Sequence, residues 1–499
     1  MQHLWWTNVI IHWIWKRIGG QMKNLIGGKF VDASNGEKAD VINPATNELI
    51  DTVPLATEED VDLCVKEAAK AQKGWAKMPL HERGDILYKF ADLVEANHEE
   101  LAQLLSKETG KPIKEARAEI SNTKHFVHGY VEKAKHDYGN VIPAGSEVGQ
   151  EKTMQITVQQ PLGVVACIIP FNFPCDLFGQ KVPSALIMGN SVIVKPSTDN
   201  PLTLHRYCEL LKDAGVPDGV INCISGRGSV TGNALAKHPQ VALISVTGST
   251  EVGAEVMANA AANITHVMLE LGENDAFIVV KDADMELTMK ELVWGRLYNT
   301  GQVCCASKRF LVQKGIKDEF IKKAVETLQS LKVAMPQQED ADIGCLINEK
   351  AAINAEEQVR KTLDQGATLV YGGRRNGAFF EPTIIDNVTK DMDVMKDMEI
   401  FAPVIPVCTF DTLDEALEIA NQSKFGLCGN IMTSDMKTAF KAAMEMEVGG
   451  AVINGASFYR AIEMPFGGWK HSGIGNEGVS TTLKEMSRTK TIVLKNILD

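Results

Sequence analysis

The chain has 499 residues, enough for two or three cores of ordinary domain size, and its 44% apolar and 23% charged content excludes wholesale disorder. A formal charge of -13 argues against a nucleic acid or an anionic membrane as partner, since both need a concentrated positive field. Ten cysteines without a C-x-x-C pair or a regular framework fit reduced thiols in a cytoplasmic protein better than disulfides or a zinc site.

Residues 1–21 differ from the rest: Trp5, Trp6, Trp13 and Trp15 precede Lys16-Arg17 and a second methionine, Met22. The apolar run is too short to span a bilayer, and its charges follow it, unlike those of a signal peptide. We read it as an upstream extension, non-native or disordered; the alternative is a membrane-interface anchor. Short strands follow from Asn43-Pro44-Ala45-Thr46, then helices with apolar residues at helical spacing (Val61, Cys64, Val65, Ala68; Ile86, Phe90, Leu93, Val94). Glu108-Thr109-Gly110-Lys111-Pro112 ends a helix by glycine-then-proline punctuation. Residues 138–156 are polar and turn-rich before alternation around Met154 to Val158, which predicts a projecting hairpin.

From Val164 the chain alternates short apolar runs with helical patterns: Val164 to Ile169, Val192 to Val194, Val220-Ile221, Leu243 to Val246, and Ala276 to Val280. Strands apolar on both faces predict a parallel sheet covered on both sides, with ligands at the carboxyl ends of its strands. Asn172, Lys195 and Gly248 fall at such ends. Two glycine clusters compete as phosphate loop. Gly226 to Gly232 looks more like a dinucleotide fingerprint but has the wrong spacing, whereas Gly248-Ser249-Thr250-Glu251-Val252-Gly253 follows a strand directly and opens a helix. A second α/β unit runs from Glu270 to about residue 450, with a polar helix around Ala352 to Gln365, and the tail Thr489 to Leu498 alternates as a strand.

Asn299-Thr300-Gly301-Gln302-Val303-Cys304-Cys305 is a polar turn between an expected helix (Met289 to Tyr298) and an expected strand (Arg309 to Gln313). A cysteine acts as nucleophile only as thiolate, so it needs a shaped polar setting; a cysteine without such partners is a small buried hydrophobe. Partners are present. Gly301 to Cys304, Leu269-Glu270-Leu271-Gly272, Pro170 to Pro174, Lys195-Pro196-Ser197, Gly248 to Gly253, Glu399-Ile400-Phe401 and Pro465-Phe466-Gly467-Gly468 stand in the order and at about the spacing of the aldehyde dehydrogenase superfamily, which the chain resembles from residue 23 to its end.

The resemblance implies an α/β fold with a Rossmann-type cofactor domain (22–137 and 157–268), an α/β catalytic domain (269–450), a small β oligomerisation flap (138–156 and 479–499), and a return of 451–478 to the cofactor domain and tunnel rim. It implies Cys304 as nucleophile, Glu270 as base, Asn172 with the Cys304 N–H as oxyanion cradle, and Lys181 as an aid to proton exit. Read alone, Asn172 is a turn residue, Glu270 a solvated strand end and Lys181 a solvated helix residue. For NAD or NADP it implies contacts from Ile169, Pro170, Phe171, Lys195, Ser197, Thr198, Gly228, Gly248, Ser249, Val252, Leu271, Glu399 and Phe401. Relatives that prefer NAD often carry a glutamate where this chain has Thr198, so NADP is expected to be accepted, with the preference left open. The implied partner is a small-molecule aldehyde, and the implied assembly a homodimer or homotetramer.

The stretches Pro170 to Leu177 and Phe458 to Pro465 look most like the lactaldehyde and non-phosphorylating glyceraldehyde-3-phosphate branch. Substrate contacts are expected from Asp176, Leu177, Val303, Cys305 and Arg460. Members that read a phosphate carry arginines where this chain has Val303 and Asn122, so a small aldehyde bearing hydroxyl or one carboxylate is expected, with glyceraldehyde 3-phosphate as the alternative. Glu270 favours water over coenzyme A as acyl acceptor, and retention of Cys304 and Glu270 argues against a non-catalytic relative. Without a paired-histidine motif, a metal hydrolase is disfavoured. Two positions depart from the family pattern: Glu273 replaces the second glycine of Leu-Gly-Gly, with strain or an added carboxylate beside the base as its expected effect, and Asn476 replaces a common arginine.

Overall fold

The computed structural model describes residues 21–496; the expectation for residues 1–20 lies outside them. The first sheet has eight strands, in spatial order Lys29–Val31, Asn24–Ile26, Ile221–Cys223, Ser191–Lys195, Val164–Ile168, Val241–Thr247, His266–Glu270 and Gly473–Ile474. Its five central strands are parallel. Counted along the chain those five run 3-2-1-4-5, the Rossmann-type order, so the topology reverses between Val164–Ile168 and Val241–Thr247. Alternate residues serve opposite faces. Val165, Cys167, Val192, Val194 and Leu243 enter one core, and Val164, Ala166, Ile193, Ile244 and Val246 the other. That is why these runs read as apolar throughout.

The second sheet has seven strands: Thr368–Tyr371, Thr383–Val388, Val404–Phe410, Ser307–Gln313, Asp275–Val279, Cys428–Met432 and Gly450–Ile453, parallel except for the first. The run expected at Ala276 to Val280 is therefore the second sheet's strand Asp275–Val279. Only Leu271 to Asn274 separates it from His266–Glu270. Four residues cannot make a parallel crossover within one sheet, so the chain passes directly from the carboxyl edge of one sheet to the amino edge of the other. The cleft between those edges is where the site lies.

A third sheet joins Val141–Ile142, Thr153–Pro161 and Ser487–Lys495, the last two paired over nine residues from Ser487↔Pro161 to Lys495↔Thr153. The hairpin and tail strand expected from alternation thus belong to one sheet, in which Ser487–Lys495 is an exposed edge. The boundary expected at 156/157 falls inside its middle strand, and the helix Val479–Glu485 packs into the first core through Val479 and Leu483. Among the described residues no helix is long and apolar enough to cross a membrane.

Candidate active site

The turn before Cys304 has unusual backbone. The helix Met285–Leu292, capped by Asp284, runs into a π turn Val293–Leu297, so the helical stretch begins four residues earlier than expected from the sequence and ends in a different geometry. Asn299 (φ 50), Thr300 (φ 54) and Gly301 (φ 78) then take three consecutive left-handed conformations. Each non-glycine residue held so costs about 1–3 kcal/mol and persists only where surroundings over-determine it. Here they do. The Asn299 N–H donates to Glu115 Oε2 (2.8 Å), and its side-chain amide donates to the carbonyls of Asn172 (2.9 Å) and Gln302 (3.1 Å). A Cβ on Gly301 would lie 2.6 Å from the Ala402 carbonyl carbon, so only glycine fits.

This turn presents Cys304, which is half-buried, while the other nine cysteines are buried and all ten are free thiols. A thiol–thiol hydrogen bond with Cys305 and burial hold the Cys304 thiol well above its usual range, opposed by the positive charges of Lys308 and Arg460. Glu270 ends its strand at 3% exposure, and neither carboxylate oxygen has a partner among the described residues. It is no solvated strand end. Burial first, then the charge of Glu477, pushes its carboxyl well above the usual range, while Lys181 and Arg460 pull it down. Asn172 is likewise buried, its side-chain oxygen unpartnered and its carbonyl taken by Lys111 Nζ (2.9 Å) as well as Asn299.

Lys181 is fully buried, which overturns the reading of it as a solvated helix residue: Nζ donates to Ser245 Oγ (2.9 Å) and Glu477 Oε1 (2.8 Å). Arg460 Nη2 holds the other Glu477 oxygen at 2.8 Å, with its guanidinium 4.1 Å from the Phe466 ring centroid. Burial alone would raise Glu477, but the two cations outweigh it and bring it down to about 2. Glu477 was not singled out from the sequence. No local signal marks it, for it lies 296 residues from Lys181.

Around the cofactor cleft, Lys195 ends its strand buried, pairs with no carboxylate among the described residues, and donates only to the Pro196 carbonyl (3.0 Å). Burial brings it down to about 8. Ser249 caps the helix Thr250–Ala260, accepting from the Val252 N–H, and Val252 is exposed. The Gly248 N–H donates to the Glu270 carbonyl (3.0 Å), tying this loop to the base strand. A Cβ on Gly253 would meet Leu271 at 2.4 Å, so glycine there permits close packing of this helix. Ile169 is buried, its N–H on the Lys195 carbonyl (3.0 Å); Pro170, Ser197 and Thr198 lie partly exposed nearby in sequence. Gly228 opens a separate π turn with free space at its Cβ position. Phe171 and Phe401 meet edge to face at 6.1 Å, and Glu399 is held by Lys308 Nζ at 3.1 Å.

Of the expected substrate residues, Leu177, Val303 and Cys305 are buried in the first core. Asp176 is half-buried; burial, then the charge of Glu119, pushes its carboxyl up to about 8, and Asn122 Nδ2 sits 3.4 Å from Oδ2. An aromatic group was missed from the sequence as a unit: Phe173 stacks on Tyr298 (6.1 Å), Tyr298 meets Phe458 (5.0 Å), and Phe458 meets the exposed Trp294 (5.9 Å). Lys308 was also missed, although a Lys-Arg pair opening an apolar strand is a visible anomaly. Glu273 takes no left-handed backbone, so the expected strain is absent; it is buried and accepts from Asn274 N–H (2.8 Å), Leu427 N–H and Ser472 Oγ (3.4 Å).

A cysteine, a buried carboxylate without a partner among the described residues, and an asparagine loop tied to the cysteine's turn thus meet at the edge of a Rossmann-type sheet, the arrangement expected of an oxidoreductase acting on aldehydes. The model of the aldehyde dehydrogenase family matches residues 30–492, and the chain belongs to that family. It is similar to a 3-sulfolactaldehyde dehydrogenase of Priestia aryabhattai (38% identical, covering 92% of this chain and 96% of the relative). It is similar also to a D-glyceraldehyde dehydrogenase (NADP(+)) of Picrophilus torridus (38%, covering 87% and 88%). Among solved structures, betaine aldehyde dehydrogenase of Staphylococcus aureus in complex with NAD+ superposes with a TM-score of 0.94 at 32% identity, covering 99% of this chain and 98% of that one.

Proposed function

We propose that this protein oxidises a small polar aldehyde to its carboxylic acid with NADP or NAD, using water as the acyl acceptor. The observation that carries the reading is Glu270: both its oxygens are buried and unpartnered, and it shares its electrostatic environment with Cys304. An unpartnered buried carboxyl costs stability unless it has work with a ligand or water. Glu270 takes the Cys304 proton, and sulfur adds to the aldehyde carbon. The Asn172 amide and the Cys304 N–H hold the resulting oxyanion. A nicotinamide held by Glu399 and Phe401 would supply the hydride acceptor, and the Cys304 adduct, once it has lost hydride, is a thioester. Glu270 then takes a proton from water as it attacks, the carbon–sulfur bond breaks, and acid and thiol are restored. Glu270 releases the thiol proton before water attacks, and the Lys181–Glu477 pair, whose charges act on Glu270, is proposed as the buried exit for it.

For the cofactor, an ammonium without a carboxylate partner at Lys195 and a capped helix start at Ser249 fit ribose hydroxyls and a pyrophosphate. Glu399 and Phe401 fit the nicotinamide ribose and ring. Both cofactors occur among the relatives, and Thr198 brings no carboxylate to repel a 2′-phosphate. For the substrate, an aromatic wall, the neutralised Arg460 and the Asp176 carboxyl suit hydroxyl or one carboxylate better than a dianion. Relatives named for sulfolactaldehyde and glyceraldehyde support this class. The exposed edge Ser487–Lys495 is proposed to pair with another copy of the chain.

A panel of short aldehydes assayed with NAD and with NADP, using Cys304→Ala as blank, tests the reading. Lactaldehyde or succinate semialdehyde turned over to free acid supports it. Acyl-coenzyme A formation when coenzyme A is added, or efficient use of glyceraldehyde 3-phosphate with neither of those aldehydes used, overturns it.

A further inference from the structure

Lys308 stands in the buried strand Ser307–Gln313, its side chain 1% exposed. A charge so placed is tolerated only with well-positioned partners. Its Nζ donates to the backbone carbonyl of Cys304 and lies 3.1 Å from Glu399 Oε1, with the Phe401 ring centroid at 5.8 Å. Glu399 is pressed against the main chain at Gly272, where a Cβ would come within 3.2 Å of Oε2. Glu273, the carboxylate found where the family usually has glycine, is fixed by the N–H groups of Asn274 and Leu427; burial pushes its carboxyl up, and the charge of Lys308 opposes that. One ammonium therefore joins the main chain of the nucleophile's turn to the Glu399 carboxylate, and its charge also reaches the unusual glutamate.

We propose that Lys308 is a positioning residue for the aldehyde oxidation: it holds Glu399 in its cofactor-facing place and the Cys304 carbonyl in register with it. The inference rests on the reading of Cys304 as nucleophile and Glu399 as a cofactor contact. Glu273 then has a physical reason to be present. A glycine there would leave Lys308 shared between Glu399 and a carbonyl, with less to hold its charge in the interior.

The test compares Lys308→Met, Glu273→Gln, the double variant K308M/E273Q, Glu399→Gln and Cys304→Ser in the full chain, reading cofactor KM, kcat and thermal midpoint. K308M is expected to raise cofactor KM about tenfold, the usual result of losing one charge-assisted hydrogen bond, and to lower kcat and the midpoint. The double variant removes one of the two carboxylates that the lost cation served and leaves Glu399, so the midpoint recovers in part while cofactor KM stays high. If K308M does not fold, the double variant carries the KM comparison alone. Recovery of KM together with the midpoint makes Lys308 a purely structural residue and overturns the proposal, as does wild-type KM and kcat in K308M or in the double variant. Turnover by C304S, or an unchanged cofactor KM in E399Q, overturns instead the reading beneath it, and the inference with it.

Discussion

The side-chain amide of Asn299 donates to the backbone carbonyl of Asn172 at 2.9 Å, across 127 residues of chain. One bond therefore ties the turn carrying the sulfur to the loop carrying the amide. Lys111 Nζ meets the same carbonyl at 2.9 Å and stands 4.0 Å from the Phe173 ring centroid, so the loop is held from two sides. Asn299→Gly preserves the left-handed backbone and the N–H bond to Glu115, and removes the tie together with the amide's bond to the Gln302 carbonyl. It is expected to lower kcat roughly 10- to 100-fold, as sub-ångström misplacement of reacting groups does, with cofactor KM little changed. Steady-state kinetics beside a thermal melt check this; a normal kcat in a folded variant makes the tie irrelevant to catalysis.

The proposed base, Glu270, can act only when ionised, and burial with Glu477 nearby pushes its carboxyl well above the usual range. The expected kcat therefore climbs with pH until Glu270 ionises. Glu270→Gln should lose about 10²–10⁴ in kcat together with that limb of the profile. The same pH dependence persisting in the variant would assign it to another group.

Asp176 carries a stability signature. Its folded-state value is pushed up to about 8, chiefly by burial and then by Glu119, from an ordinary value of 3.8. Between those values the folded protein binds the proton more tightly than the unfolded chain does. The contribution is complete below the lower value and is lost as pH rises through the upper one. Asp176→Asn does not titrate, so its melting temperature should improve relative to the unsubstituted protein from about pH 5 to about pH 9. A constant difference across that range refutes the raised value.

On the proposed cofactor placement, the charge at position 198 sets the choice between NAD and NADP. Thr198→Glu restores a carboxylate where a 2′-phosphate would sit, and is expected to lower kcat/KM for NADP about 10- to 100-fold relative to NAD by like-charge repulsion. Lys195→Met should weaken both cofactors. An unaltered NADP/NAD ratio in the Thr198 variant would place the adenosine end elsewhere.

Signals carried by consecutive residues were legible before any coordinates. The strands from Val164 to Val246 announce themselves because a strand buried on both faces has no polar alternation. Gly110 marks its helix end because it adopts φ 78, and Gly301 is required by contact with Ala402. The family motif around Cys304 rests on the same local constraint. Ala276 to Val280 reads like the earlier runs because an apolar run does not say which sheet it joins; the four-residue link after Glu270 decides that.

The order of residues by itself determined the two-sided sheet, the polar turn that presents a sulfur, and the family to which the chain belongs. Only the folded chain decided which charges meet in the interior: Lys181 and Arg460 around Glu477, Lys308 between Glu399 and Glu273, Lys111 beneath Asn172. The reason is physical. Whether a lysine or glutamate is solvated or sealed against an opposite charge depends on what packs over it from distant segments, and periodicity along one segment carries no record of that.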